Sequence, residues 1–241
     1  MKYMLLSKIR LSWFFVFFFL IFFILLDMLP RYTFTGGALT LFSVNSFLYG
    51  FYITPILGAQ KSRIEELHKI ARAEANAIFA MVLSIKNLPD ELKDQLKALF
   101  NDYLSKTSHG KAKAGEKAYE ELITFCVDYK GAHKAEMDKL LEKLVANQQN
   151  RTNYSMQLGN KVFSNEWMIT AVLFTITLSF ILLIDAGGEL VTHIVTALLA
   201  TSLSMLILIL IKLSTLTHKK ARHIWDPFKT LLKSRYYRID E

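Results

Sequence analysis

One cysteine in 241 residues, no H-E-x-x-H pair, no G-x-x-x-x-G-K loop and no G-x-S-x-G elbow leave this sequence little of the vocabulary of catalysis. Cys126 has no second cysteine to pair with, so an internal disulfide is excluded, and such sparse cysteine usage fits a reducing compartment. It falls on the apolar side of a predicted helix, where a thiol packs more readily than it reacts. The six histidines, His68, His109, His133, His193, His218 and His223, are scattered, and none sits at metal-ligand spacing with the cysteine. The sequence therefore predicts no enzyme, no metal and no cofactor. Alternating apolar and polar residues of useful strand length are missing too, and no repeat is evident.

Charge is missing in places that matter. Residues 11 to 29, LSWFFVFFFLIFFILLDML, carry only Asp27, and residues 36 to 58, GGALTLFSVNSFLYGFYITPILG, carry none. Each is long enough to cross a hydrocarbon layer of about 30 Å as a helix. The first exceeds the roughly 7 to 15 apolar residues of a signal peptide, and no small-x-small cleavage pattern follows it. Residues 167 to 184 and 190 to 211 supply two further spans. Pro30 in one connection, and Gly187 with Gly188 in the other, suit short turns.

Basic residues settle the expected orientation. Three, Lys2, Lys8 and Arg10, precede the first span, 17 lie in residues 58 to 166, and eight lie from Lys212 onward. The turns between paired spans hold Arg31 against Asp27, Asp185 and Glu189. The positive-inside rule then places both termini and the central segment in the cytoplasm of a cell membrane, plasma or inner. The net charge of +8 follows from this arrangement: it points to anionic inner-leaflet lipid and gives no reason to expect nucleic acid.

The predicted fold is all-α: a first membrane hairpin (1–58), a cytoplasmic helical domain (59–166), a second hairpin (167–213) and a basic amphipathic tail (214–241). Ile64, Leu67, Ala71, Ala75, Ile78, Val82 and Ile85 mark one amphipathic helix from Gln60 to Lys86, continuous with the second span. Pro89, Asp90 and Glu91 open the next, with Leu92, Leu96, Leu99, Phe100 and Tyr103 as its apolar stripe. Residues 105 to 117 predict a loop or a frayed helix end, and residues 116 to 130 a third helix. A fourth pattern runs from Gly131 past Arg151 and Tyr154 to Trp167 without proline, so it is expected to enter the third span unbroken, Gly159 being its weak point. The tail's Trp225, Phe228, Leu231, Leu232, Tyr236 and Tyr237, set among bases, predict a segment that lies along the inner leaflet or across a neighbouring subunit, lipid contact being the simpler expectation.

The second span holds the most suggestive pattern. Gly36, Thr40, Ser43, Phe47, Gly50 and Thr54 recur at steps of three and four, so small and hydroxyl-bearing residues share one stripe. Such a stripe either lets helices approach closely or, repeated around a symmetric oligomer, lines an aqueous path. Asn45, beside it, should face protein or water, since an uncompensated amide in lipid is costly. Pro55 is a candidate hinge or a plain boundary kink. Asp27, Asp185 and Glu189 would form an acidic outer ring if copies assemble. His193, close to the outer surface, is expected to be hydrated.

The order of these features, with GFYI (50–53) leading into a charged helix, AEANAI (73–78), NLPDEL (87–92) followed by Tyr103, Arg151 before the third span, and WDPF (225–228) after the fourth, resembles the bestrophin-like domain family of membrane proteins. The matches are spread over about residues 45 to 230. The resemblance implies a homo-oligomer, a pentamer by analogy with bestrophin channels, with the second span around the axis and Thr40, Ser43, Phe47, Gly50 and Thr54 facing it, Asn45 alongside. The expected function is passive conduction of inorganic ions. The alternative is a non-conducting membrane scaffold or sensor whose cytoplasmic helices bind a partner.

Overall fold

The computed structural model describes residues 9–108, 112–185 and 189–234. Among these the chain is helical and contains no strand, only an isolated parallel bridge between Tyr32 and Ile184. The helices are α1 (Leu11–Met28), α2 (Gly36–Ser84), α3 (Asp90–Ser108), α4 (Ala112–Asp128), α5 (Lys134–Gly159), α6 (Ser164–Leu183), α7 (Leu190–Ser214) and α8 (Asp226–Lys233), with a 3₁₀ turn at Lys220–His223. Four helical stretches are long and apolar enough to cross a membrane, with mean hydropathies of 2.5 at Leu11–Met28, 1.2 at Gly36–Ser84, 1.9 at Lys134–Leu183 and 2.6 at Leu190–Ser214. The chain divides into two compact units, one of residues 1–62 and 161–221, the other of 63–160 and 222–241.

In the first unit α1 lies against α7. Phe22 and Leu26 meet Ala197 and Ala200, whose small side chains are fully buried and allow close approach, and Ile181 and Leu182 of α6 complete the cluster. A second cluster joins Tyr49, Ile53 and Ile56 of α2 to Val162 and Leu210, with Trp167, Leu173 and Phe174 packed against it. Backbone hydrogen bonds from Tyr32 N–H to Leu183 O (2.8 Å) and from Asp185 N–H to Tyr32 O (3.0 Å) tie the link after α1 to the end of α6. Lys212 is buried near the end of α7; its ammonium donates to Ile9 O (2.9 Å) and lies 5.1 Å from the Phe14 ring centroid.

The second unit is built from the charged part of α2 and from α3, α4, α5 and α8. The predicted stripe is its core: Ile64, Leu67, Ala71, Ala75, Ile78, Val82 and Ile85 are all buried, as are Leu92, Leu96, Phe100 and Tyr103 of α3. Tyr119, Leu122 and Cys126 of α4 and Met137, Leu140, Leu144 and Tyr154 of α5 join them. Helices α3 and α4 pack tightly at Gly115, where a Cβ would stand 2.7 Å from Thr107 Oγ1.

Three expectations change. Most of residues 105 to 117 are helical: α3 continues to Ser108 and α4 starts at Ala112, residues 109–111 lying outside the described residues, because lysine, alanine and glutamate favour helix even where apolar periodicity lapses. The helix before the third span is not seamless. It ends at Gly159, residues 160–163 are non-helical, and α6 begins at Ser164 with the Glu166 carboxylate accepting the Phe163 N–H at 2.9 Å. The apolar face of the tail packs within the protein: Phe228 and Leu231 of α8 are buried in the second unit, where α8 rests on α3. Tyr236, Tyr237, Gly187, Gly188 and His109 lie outside the described residues.

The break after α5 has a specific stabiliser. The last carbonyls of a helix have no partner within it. Arg63, buried on α2, donates from Nε to Gln157 O (2.7 Å) and from Nη2 to Leu158 O (2.8 Å), filling two of them with one planar fork. Replacing Arg63 with Ala is expected to cost the second unit about 2–3 kcal/mol in urea unfolding. Arg63→Lys should recover only part, since an ammonium cannot hold the two carbonyls in the same fork geometry.

Candidate functional site

Thr40, Ser43, Phe47, Gly50 and Thr54 all fall on the exposed side of α2, together with Leu41, Val44, Leu48 and Phe51. The neighbouring face turns inward at Asn45 and Tyr49. The hydroxyls on the stripe are already engaged: Thr40 donates to Gly36 O (2.9 Å), Ser43 to Leu39 O (2.9 Å) and Thr54 to Gly50 O (2.7 Å). Each leaves oxygen lone pairs outward and no uncompensated donor. Gly36, Gly37 and Gly50 have open space where a Cβ would be, so another helix could come close there. Pro55 is exposed and lies inside α2 without ending it.

Asn45 is an interhelical contact in this unit. Its Nδ2 donates to Leu173 O (3.1 Å) and to Thr177 Oγ1 (2.7 Å), joining α2 to α6. This satisfies the amide that the sequence flagged as costly in lipid.

The three acidic candidates are exposed and gather at the end of this unit where α1 and α6 finish and α7 begins. Asp27 approaches His193 (3.6 Å), Asp185 is held through its backbone by Tyr32, and the Glu189 carbonyl accepts the His193 N–H. His193 is not simply hydrated. Its Nε2 donates to Phe23 O (3.1 Å), its Nδ1 accepts from Arg31 Nη2 (3.2 Å), and Arg31 also donates to Leu26 O (3.3 Å). Histidine and arginine together bond carbonyls in the last turns of α1, Leu26 O being one that the helix itself leaves open, a role that sequence spacing alone could not reveal.

A polar cluster that sequence reading had not assembled lies in the second unit. Glu74 of α2 is 1% exposed; Tyr103 of α3 donates its hydroxyl to Glu74 Oε1, and Arg151 of α5 brings Nε to 3.6 Å from the same oxygen. The guanidinium lies 4.0 Å from the Tyr119 ring centroid and 5.4 Å from that of Tyr103. Tyr119 in turn donates to Leu144 O (2.7 Å) and accepts from Asn147 Nδ2 (3.2 Å). Burial pushes the Glu74 carboxyl above its ordinary range against the opposing pull of Tyr103 and Arg151, and pushes the Tyr119 phenol up to about 12. Burial likewise raises the Cys126 thiol to about 11, so it is a packed thiol and not a thiolate. Among the described residues no three His, Cys, Asp or Glu side chains converge to hold a metal ion.

Tyr103, Arg151 and the stretch AEANAI that holds Glu74 are separate short matches in the sequence; the fold brings the three residues together. Their sequence separation hides the contact, since only tertiary packing joins α2 to α5.

A carboxyl whose folded pKa lies above its unfolded value of about 4.3 binds protons more readily in the fold. Its contribution to stability is fully present below the unfolded value and lost as pH rises through the folded one. Unfolding of wild type and Glu74→Gln across pH 4 to 8 should therefore diverge, with wild type losing stability relative to the variant as pH rises. Parallel curves would show that Glu74 does not titrate in this window. In the first unit, Asn45→Ala should cost about 1 kcal/mol in detergent unfolding, the scale of interhelical hydrogen bonds in membrane bundles.

No family model matches the chain, and no curated protein or solved structure is significantly similar to it; the likeness to bestrophin-like proteins rests on the short matches alone.

Proposed function

We propose that this chain is a subunit of an oligomeric membrane pore that conducts inorganic ions passively, with the stripe of α2 toward the axis. One observation carries the reading: the face bearing Thr40, Ser43, Phe47, Gly50 and Thr54 is exposed on the single chain, while Asn45 and Tyr49 beside it are used for packing. A weakly polar, glycine-bearing face gains little from lipid, and copies arranged around an axis would give it water on one side and helix contacts on the other. In this reading α1, the first part of α2, α6 and α7 cross the membrane as two hairpins, with the exposed Trp13, Phe17, Leu41, Val172 and Leu199 meeting acyl chains. Both termini and the helices between the second and third spans are cytoplasmic. The resemblance supplies five as the copy number, and anionic lipid remains the expected contact of the basic residues that flank the spans.

The engaged hydroxyls favour a second reading. Because each stripe hydroxyl already donates to its own helix, the face also tolerates a dry, tightly packed interface. The protein would then be an oligomeric scaffold or sensor, with the second unit binding a partner.

Reconstitution separates the two. In liposomes the pore reading expects ion flux, and Gly50→Leu should lower it at least tenfold while particle images show an unchanged copy number. Sealed vesicles across a range of pH, voltage and calcium would leave the scaffold as the surviving reading.

A further inference from the structure

The Arg151 guanidinium carries five N–H donors into the second unit, and its side chain is only 9% exposed. Its Nε lies 3.6 Å from Glu74 Oε1, too long for a direct hydrogen bond, and that oxygen already accepts from Tyr103. Its two ring contacts satisfy charge but not hydrogen bonding. Among the described residues, none accepts a hydrogen bond from it. A buried hydroxyl without a partner lies close by: Tyr154 Oη completes no hydrogen bond, and burial raises its phenol well above the ordinary range against the opposing pull of the Trp225 indole.

Both groups border the same cavity. It measures ≈ 20 Å³ and is lined by Glu74, Tyr103, Thr107, Arg151, Tyr154 and Ser155, with Gly115 and Glu116 on its wall. About 10–15 Å³ suffices for one water molecule, provided two to four polar partners surround it. The charges decide among the small species: two carboxyl groups on the wall disfavour an anion, and the guanidinium disfavours a cation. A neutral molecule that both accepts and donates is what remains.

We infer that this cavity is a binding site for a single water molecule, which accepts a hydrogen bond from Arg151, donates to the Glu74 carboxyl and pairs with the Tyr154 hydroxyl. The water completes a buried ion pair that the side chains alone leave open, and so joins α2 to α5. This is independent of the pore reading, because it concerns only residues of the second unit.

Two measurements on the full-length chain in detergent test it. A structure at a resolution that shows solvent should place one density peak within hydrogen-bond distance of Arg151 and Tyr154, and the peak should give no anomalous signal after bromide exchange. An empty cavity, or a bromide peak in it, overturns the inference. Thermal unfolding of Tyr154→Phe provides the second reading. With the water present, the variant strands one of its partners, and the melting point should fall by about 2–4 °C. In a dry cavity the substitution deletes an unpaired buried hydroxyl, and an unchanged or raised melting point would count against the water.

Discussion

Segregation of charge along the chain is the constraint on which the rest of the structure depends. Where charge is excluded, a helix gives every backbone N–H and C=O along its length a partner within the chain, and the apolar stretches are helical. Where charge returns, helices continue, but an apolar stripe on one side must now be covered by other helices. The two compact units are the two solutions to the same backbone requirement. In the first, small residues such as Ala197 and Ala200 bring helices together while large apolar side chains point outward. In the second, the large apolar side chains Tyr103, Tyr119, Phe100 and Phe228 point inward.

Three sets of polar groups in the two units follow one rule, that a buried donor or acceptor is spent, whereas Tyr49 Oη, Tyr154 Oη and Thr170 Oγ1 find no partner among the described residues. Arg63 spends its donors on the end of α5, Arg31 and His193 spend theirs on the end of α1, and Asn45 spends its amide on α6. All three fixtures act where a helix ends or where two helices cross. The Glu74 and Arg151 pair differs, because the charge is matched but the hydrogen bonding is left open. A pair of that kind is weak evidence for stability and better understood as a specifier of which helices meet.

Much of this was legible in the sequence. Helical periodicity located the buried stripe of α2 from Ile64 to Ile85, and the apolar runs located the four membrane-length segments. The cost of an amide in lipid marked Asn45 as a residue needing a partner, though not that Thr177 would be that partner. The break at 160–163 was hidden for a physical reason: Gly159 alone lowers helix propensity by only about 1 kcal/mol, and the decisive capper, Arg63, comes from 94 residues earlier. The region from 105 to 117 misled in the opposite sense. Its lack of apolar periodicity hid the last turn of α3 to Ser108 and the first turn of α4 from Ala112, where lysine and alanine propensity favours helix. Periodicity thus reports which side of a helix is covered; it does not report where the helix ends.

The same limit bears on the α2 stripe. Periodicity says that Thr40, Ser43, Phe47, Gly50 and Thr54 share a face, and the structure adds that one chain does not cover it. What covers it depends on the balance between lone pairs and donors. With every stripe hydroxyl donating to its own helix, the face presents acceptor oxygens, glycine backbone and one aromatic ring pair, Phe47 with Phe51 at 6.0 Å. Such a face carries no fixed charge to bind an ion tightly. In a pore that is an advantage, because a conducting path needs contacts weak enough to release what they admit.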